Sequence, residues 1–169
     1  MKSIRCAANT LQLTVDNALK DKSIAELIAK ARRVCRKLRT LTIIKRMKLL
    51  KPILDCVTLL HSTHGVLERL LVLKNFCHDM TPTIKELRIS DSDWTETKNI
   101  VNALKPAKIT TTIFHRKKLF VEDFYSSWLT CKINTEKVGC RFSNNLVQFM
   151  NEREKVLLHN EAILTAILC

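Results

Sequence analysis

The scarcity of glycine and proline constrains the fold of this chain more than any other feature of its sequence. Its 169 residues include only two Gly and three Pro, although sheet-rich and loop-rich proteins need both residue types for their turns. The hydrophobic content of 46% is sufficient for a core and excludes an intrinsically disordered protein. These properties predict a mainly α protein, with a length that suits one domain.

Apolar residues recur at the spacing of an α-helix in several segments. A first helix is expected over residues 6–20. The clearest helix follows it and begins with Ser23 and Glu26, whose spacing matches a capping box that satisfies two backbone N–H groups. Its apolar members are Ile24, Leu27, Ile28, Ala31, Val34, Cys35 and Leu38.

Turn and cap signals divide the rest of the chain. We expect a strand or an extended loop over residues 53–60 and a helix over 64–79. A helix capped by Ser90 or Ser92 should follow, with a kink or a division at Pro106. Four aromatic residues fit the spacing of a helical core, and we expect them to be buried rather than to stack on bases. These are Trp94, Phe124, Tyr125 and Trp128.

Positive charge is concentrated between Lys30 and Lys51. The chain has 29 basic and 16 acidic residues, a net charge of +13, which favours contact with DNA or another polyanion. Arg32, Arg36 and Arg39 follow one another at i, i+4 and i+7, so they share one helix face. An ordinary solvated face is the alternative interpretation. The candidate phosphate contacts, which carry no sequence preference, are Arg32, Arg33, Arg36, Lys37, Arg39, Lys45, Arg46 and Lys48.

The cysteine and histidine residues form no recognisable metal or catalytic pattern. Seven Cys, an odd number without a C-x-x-C pair, are typical of free, mostly buried thiols in a reducing compartment. Cys56, His61, His64 and Cys77 have a spacing that fits no common zinc site. Cys77 and His78 are neighbours, and adjacent side chains do not face each other on a helix. We therefore expect no metal ligand, no cofactor and no catalytic residue.

No apolar run approaches the roughly 18 residues that a membrane-spanning helix requires. The N-terminal segment does not form a secretory leader, because Asn9, Gln12 and Asp16 interrupt its apolar residues. We expect an intracellular protein, nuclear or cytoplasmic, with no membrane partner.

Four blocks, in order along the chain, are similar to motifs of one family. Residues 5–13 resemble the motif R-C-x-x-H-x-L-x-L, and residues 52–63 resemble P-x-x-D-x-x-T-R-W-x-S-T. Residues 67–71 look like part of a helix with the sequence M-L-E-R-L-L, and residues 92–107 look like a helix with the pattern S-D-W…L-x-P. The motifs are those of hAT-family transposases, including domesticated relatives that carry BED zinc fingers.

The resemblance implies a helical bundle like the hAT insertion domain. Residues 1–20 would be a remnant of the ribonuclease-H-like core, and residues 21–169 the insertion-like domain, treated as one compact unit. In that family three acidic residues hold Mg²⁺ or Mn²⁺ for phosphoryl transfer. By position all three lie outside this chain, which would be an internal piece of the enzyme. We expect these metals only for the full-length ancestor.

The sequence departs from the family pattern at positions that matter for activity. Asn9 stands where the family usually has His, and Leu59 and Leu60 stand where it usually has Arg-Trp. A guanidinium can bind phosphate and an indole can stack on an extruded base, whereas two leucines can do neither. The family-motif positions are Arg5, Cys6, Asn9, Leu59 and Leu60.

These features predict a decayed or domesticated transposase fragment that is catalytically inactive alone and binds nucleic acid non-specifically through a basic helix. Two alternatives stay open. One is a helical protein-interaction or oligomerisation module, which would self-associate or bind a protein partner. The other is a part of an active transposase whose true ends lie elsewhere.

Overall fold

The computed structural model describes residues 7–40, 60–114 and 121–158, and in these ranges the chain is helical without a strand. The prediction of a mainly α protein is therefore confirmed. In chain order the helices are α1 (Ala7–Ala18), α2 (Lys22–Leu38), α3 (Leu60–Val72), α4 (Lys74–Met80), a 3-10 helix (Lys85–Leu87), α5 (Asp91–Phe114), α6 (Val121–Glu136) and α7 (Arg141–Leu158).

The contacts of the chain divide it into two compact units. One contains Met1–Lys20 and Asn102–Cys169, and the other contains Asp21–Val101. In the first unit α7 packs against α1 and α6, and in the second α2 packs against α3 and the 3-10 helix. Residues 1–20 are thus grouped with the second half of the chain. Their assignment to a ribonuclease-H-like remnant, and the likeness of the rest to a hAT insertion domain, stay predictions.

The core of the first unit is built from regular apolar stripes. Leu11, Val15 and Ala18 of α1 are fully buried, as their spacing predicts. Leu19, the fourth member of the predicted stripe, follows the last residue of the helix and is half-buried. Helix α7 contributes three buried apolar residues, at i, i+4 and i+8, namely Phe142, Leu146 and Met150. Gly139 precedes α7 with a φ of 66°, a left-handed conformation that glycine adopts without strain.

Aromatic rings fill the space beside α6. The ring centroids of Phe114 and Phe124 are 5.1 Å apart, and those of Phe124 and Trp128 are 6.1 Å apart. These separations are typical of favourable tilted ring pairs. Trp128 is fully buried, which confirms its predicted place in the core, and Phe124 is 7% exposed.

A polar contact ties α6 to α7. Glu154 forms an ion pair with Lys132 and accepts a hydrogen bond of 3.1 Å from the hydroxyl of Tyr125. Tyr125 is half-buried, so its predicted place in the core is wrong. Its hydroxyl needs a polar partner, and Glu154 supplies one at the border of the unit.

Helix α2 is capped by Asp21 and not by Ser23. The Oδ1 atom of Asp21 accepts hydrogen bonds from the backbone N–H groups of Ser23 at 3.0 Å and Ile24 at 3.4 Å. Ser23 is already helical, and its hydroxyl donates to the same carboxylate at 2.6 Å. The predicted capping box is therefore wrong, because the preceding carboxylate satisfies these donors and also suits the positive end of the helix dipole.

The middle of the chain differs from the sequence-based prediction in its helix limits. The helix expected over residues 64–79 is two helices, α3 and α4, separated at Leu73. The hydroxyl oxygen of Ser90 accepts a hydrogen bond of 3.2 Å from the backbone of Asp93, so Ser90 fulfils the predicted cap. Helix α5 continues through Pro106. The expected division is absent because the helix keeps its buried contacts through Leu104 and Ala107, on both sides of the proline.

Of residues 53–60, for which a strand or extended loop is predicted, 53–59 lie outside the described residues, and Leu60 is the first residue of α3. None of the helices in the described ranges combines the length and apolar character that crossing a bilayer requires.

Truncation of a core residue in either unit should destabilise the protein. Leu70 and Trp128 have no exposed surface, so Leu70→Ala should lower the free energy of unfolding by about 2–5 kcal/mol and Trp128→Ala by about 3–5 kcal/mol. Val72, which is 59% exposed, is the control, and Val72→Ala should change stability by less than about 0.5 kcal/mol. Urea unfolding followed by circular dichroism measures these differences. Near-neutral effects at both buried positions would contradict the described cores.

The start of α2 gives a second test. Asp21→Ala should cost about 1 kcal/mol, because backbone donors at the helix start lose their acceptor. Ser23→Ala should cost less, because the serine hydroxyl only donates to the cap. If Ser23→Ala were the more damaging substitution in urea unfolding, the assignment of the cap to Asp21 would be wrong.

Candidate nucleic-acid interface

Helix α2 has one apolar face and one charged face. All seven residues of its predicted apolar stripe are buried, which fixes the rotation of the helix about its axis. The basic residues therefore lie on the opposite side or at its borders. Lys22, in the first turn, is exposed and forms no ion pair with a described residue. The surroundings of the other basic residues divide them into three groups, which differ in whether the positive charge is already compensated.

Two lysines at one border of the charged face are paired with acids. Lys30 forms an ion pair with Asp93, and the Nζ atom of Lys37 donates to Oε1 of Glu86 at 2.8 Å. The hydrogen bond from Lys30 holds the pKa of Asp93 below its usual value, and that from Lys37 does the same to the pKa of Glu86. Lys37, a predicted phosphate contact, thus already has an anionic partner.

Arg32 is tied to the neighbouring helix. Its Nη2 atom lies 3.4 Å from the hydroxyl oxygen of Thr63 in α3, and Thr63 is 3% exposed. The arginine itself is half-buried. The predicted row of Arg32, Arg36 and Arg39 on one open face is therefore only partly realised, because its first member lies at the border with α3.

Three arginines occupy the open part of the charged face. Arg33, Arg36 and Arg39 are exposed, and none forms an ion pair with any residue in the described part of the chain. Arg39 is the C-cap residue, and its backbone N–H donates to the carbonyl of Arg36 at 3.1 Å. Positive charge at this end of the helix also complements the dipole. These guanidinium groups are available to an anionic ligand.

A charged cleft lies beside Arg33 and has a volume of about 620 Å³. Glu26 and Asp93 contribute carboxylates to its wall, and Lys30 and Arg33 contribute cations. The two negative and two positive charges of these residues balance within the cleft. The uncompensated positive charge of α2 therefore increases from Arg33 towards Arg39.

The remaining predicted positions are distributed as follows. Asn9 is exposed on α1, and Leu60 is buried at the start of α3. The buried leucine is part of the core and contacts no solvent. The predicted residues that lie outside the described ranges are Lys45, Arg46, Lys48, Arg5, Cys6 and Leu59.

Three exposed lysines outside α2 are not identified by the sequence pattern. Lys98, Lys105 and Lys137 are exposed and form no ion pair within the ranges that the structure describes. They are isolated along the sequence, so local charge density gives no signal for them. They provide a comparison set of equal charge for the three arginines.

The thiol groups are poorly suited to nucleophilic chemistry. Burial raises the pKa of Cys35 to about 11 and the pKa of Cys77 to about 12, and the nearby Cys35 contributes to the second shift. Such thiols are protonated at neutral pH, whereas the thiolate is the reactive form. His78, the neighbour of Cys77, is exposed. The described residues contain no cluster of His, Cys, Asp or Glu that could hold a metal ion, and Cys56 lies outside them.

Aromatic side chains do not form an exposed stacking surface in the described ranges. Trp94, Phe124 and Trp128 are buried, which confirms the prediction that they belong to the core. The ammonium of Lys74 lies 5.8 Å from the centre of the Trp94 ring, within the range of a cation–π contact. The described residues therefore offer charge, and no exposed aromatic surface, to a nucleic acid.

Comparison with known proteins assigns no family to the chain. Protein-family models, curated proteins and solved structures gave no significant match. The hAT resemblance thus stays a prediction that rests on the four motif-like blocks.

The ion pair between Lys30 and Asp93 should make the stability of the protein depend on pH. Because the pKa of Asp93 is lowered from 3.8 in the folded state, the pair stabilises the protein above that pH. Its contribution is lost as the pH falls through the folded-state pKa. Asp93→Asn should therefore lower the unfolding free energy at pH 7, and its difference from the unsubstituted protein should shrink below about pH 4.

The exposed Asp79, which forms no ion pair with a described residue, provides the matched control. Asp79→Asn should leave the stability at pH 7 nearly unchanged. Urea unfolding between pH 2.5 and 7 gives both curves. A constant difference between Asp93→Asn and the unsubstituted protein over this range would show that Asp93 does not contribute as an ionised partner.

Proposed function

We propose that this protein is a transposase-derived helical fragment that is catalytically inactive alone and binds nucleic acid non-specifically through α2. The observation that carries the proposal is the exposure of Arg33, Arg36 and Arg39 without an acidic partner in the described ranges. On the same helix Lys30 and Lys37 are compensated by acids. The contrast indicates three guanidinium groups that a phosphate backbone can neutralise.

The charge of the whole chain supports the same function. A net charge of +13 attracts a polyanion over long distances and accelerates its encounter with the protein. Arginine forms paired hydrogen bonds with phosphate oxygens, and such contacts position a protein without reading bases. The transposase ancestry accounts for an inherited DNA-facing surface, and it rests on the motif resemblance alone.

A helical interaction module is the second candidate function. It is favoured by three large apolar side chains exposed in one unit, Ile109 at 53%, Ile133 at 48% and Val156 at 67%. Ile109 also lines a groove of about 420 Å³ between α5 and α6. Substitution of the α2 arginines should leave partner binding through this groove unchanged, whereas it should weaken nucleic-acid binding.

The test compares two variants of equal charge. Arg33→Ala/Arg36→Ala/Arg39→Ala removes the proposed contacts, and Lys98→Ala/Lys105→Ala/Lys137→Ala removes three other exposed charges. Fluorescence anisotropy with a labelled DNA duplex between 50 and 200 mM salt gives the slope of log K against log salt. The arginine variant should have a slope shallower by about 2.7, or 0.9 for each lost phosphate contact.

The slope of log K against log salt should change much less for the lysine variant, because only long-range attraction is weakened. Equal losses in the two variants would contradict a site on α2 and indicate diffuse attraction. Absence of binding by the unsubstituted protein at 50 mM salt would rule out the proposed function.

A further inference from the structure

We propose that the exposed face of α2 inserts into the major groove of B-form DNA, so that double-stranded DNA is preferred over single strands and over double-stranded RNA. This inference rests on the proposed function and specifies its ligand. It is argued from the directions in which the three arginines leave the helix and from the small residues between them.

The three arginines form a fan and not a line. They are spaced three residues apart, and an α-helix turns by about 100° and rises by 1.5 Å for each residue. Successive arginines are therefore rotated by about 60°, and Arg33 and Arg39 diverge by about 120° over an axial distance of about 9 Å. Arg39, as the C-cap residue, keeps helical backbone angles (φ −85°, ψ −3°), so the estimate extends to it.

A fan of this width suits phosphates on two sides of the helix. A single strand presents one row of phosphates, which can meet only part of the fan at a time. The major groove of B-DNA is about 12 Å wide and is bordered by the phosphates of both strands, and an α-helix with its side chains is about 10–12 Å across. A helix in the groove therefore directs Arg33 and Arg39 towards opposite borders.

Small residues lie between the arginines on the same face. Ala25 and Ala29 are exposed, and the helical rotation places Ala29 between Arg33 and Arg36, and Ala25 between Arg36 and Arg39, about one to four turns earlier along the axis. The same rotation places the exposed Lys22 beside Ala29, and the half-buried Arg32 between Arg36 and Arg39. Methyl groups there allow the helix surface to approach base edges closely. Alanine can contact the methyl group of thymine and makes no hydrogen bond to a base, so any sequence preference would be weak.

The charge distribution of the exposed face is compatible with this orientation. Its single acid, Glu26, lies on the Arg33 side, beside the cleft that it shares with Asp93. No acidic residue of α2 lies on the side of the exposed face that bears Arg36 and Arg39. The A-form major groove of RNA is too narrow for side chains to read, so the same helix cannot enter it.

The first experiment uses three probes of one sequence with the full chain. Anisotropy at a single salt concentration measures the affinity for a 20-base-pair DNA duplex, for one of its strands and for the RNA duplex. The DNA duplex should bind at least about tenfold more tightly than either alternative, because only its major groove admits a helix. Protection of guanine N7 from methylation by dimethyl sulfate should accompany this preference.

The second experiment blocks close approach and preserves the charge. Ala29→Trp places a large side chain at an exposed position and should remove the preference for duplex DNA. Thr95→Trp, at an exposed position of α5, is the control and should retain it. Circular dichroism should show unchanged helix content in both variants.

The outcomes separate this inference from the proposed function. Equal affinity for the three probes, with loss of binding in the triple arginine variant, would overturn groove insertion and leave phosphate binding by α2 intact. Absence of binding to every probe would overturn both. A duplex preference that survives in Ala29→Trp, or unprotected guanine N7, would show that α2 does not enter the groove.

Discussion

The burial of the apolar stripe of α2 is the constraint on which the arrangement of the charged residues depends. Its seven residues are packed away from solvent, and each fully buried aliphatic side chain contributes about 1.5–3 kcal/mol. Rotation of the helix by even one position would expose several of them. The register of α2 is thereby fixed by apolar contacts, and the charged residues take the positions that this register leaves to them.

Acidic residues from elsewhere in the chain then determine which positive charges remain available. Asp93 and Glu86 follow their lysine partners by 63 and 49 residues, respectively. Both acids lie at the same border of α2, so they compensate Lys30 and Lys37 and leave Arg33, Arg36 and Arg39 open. Exposed ion pairs of this kind contribute little stability. Their larger effect is to remove Lys30 and Lys37 from the uncompensated charge of the helix, which then consists of Lys22 in the first turn and the three exposed arginines.

The sequence predicted the elements whose signals are local. The stripes of α1 and α2 followed from spacing alone, because a buried helix face repeats every 3.6 residues.

The cap of α2 was misassigned because Asp21 and Ser23 are both good capping residues, and the choice depends on where the helix begins. A kink or a division at Pro106 is predicted from the loss of one backbone donor. The helix is not divided, because its buried contacts outweigh this local effect. Helical periodicity correctly groups Arg32 with Arg36 and Arg39. The contact of Arg32 with Thr63 is a tertiary contact, which the spacing does not reveal. The partners of Lys30 and Lys37 are also distant in sequence, so local patterns cannot reveal them.

The separation of the two faces of α2 has an evolutionary consequence. No side chain of the arginine fan belongs to the stripe that holds the helix in place, and substitutions at exposed positions usually change stability by less than about 0.5 kcal/mol. Selection can therefore strengthen, weaken or reverse the charge of this surface while foldability is preserved. A lineage that no longer needs an ancestral ligand could lose these arginines one by one and keep the same helical scaffold for another use.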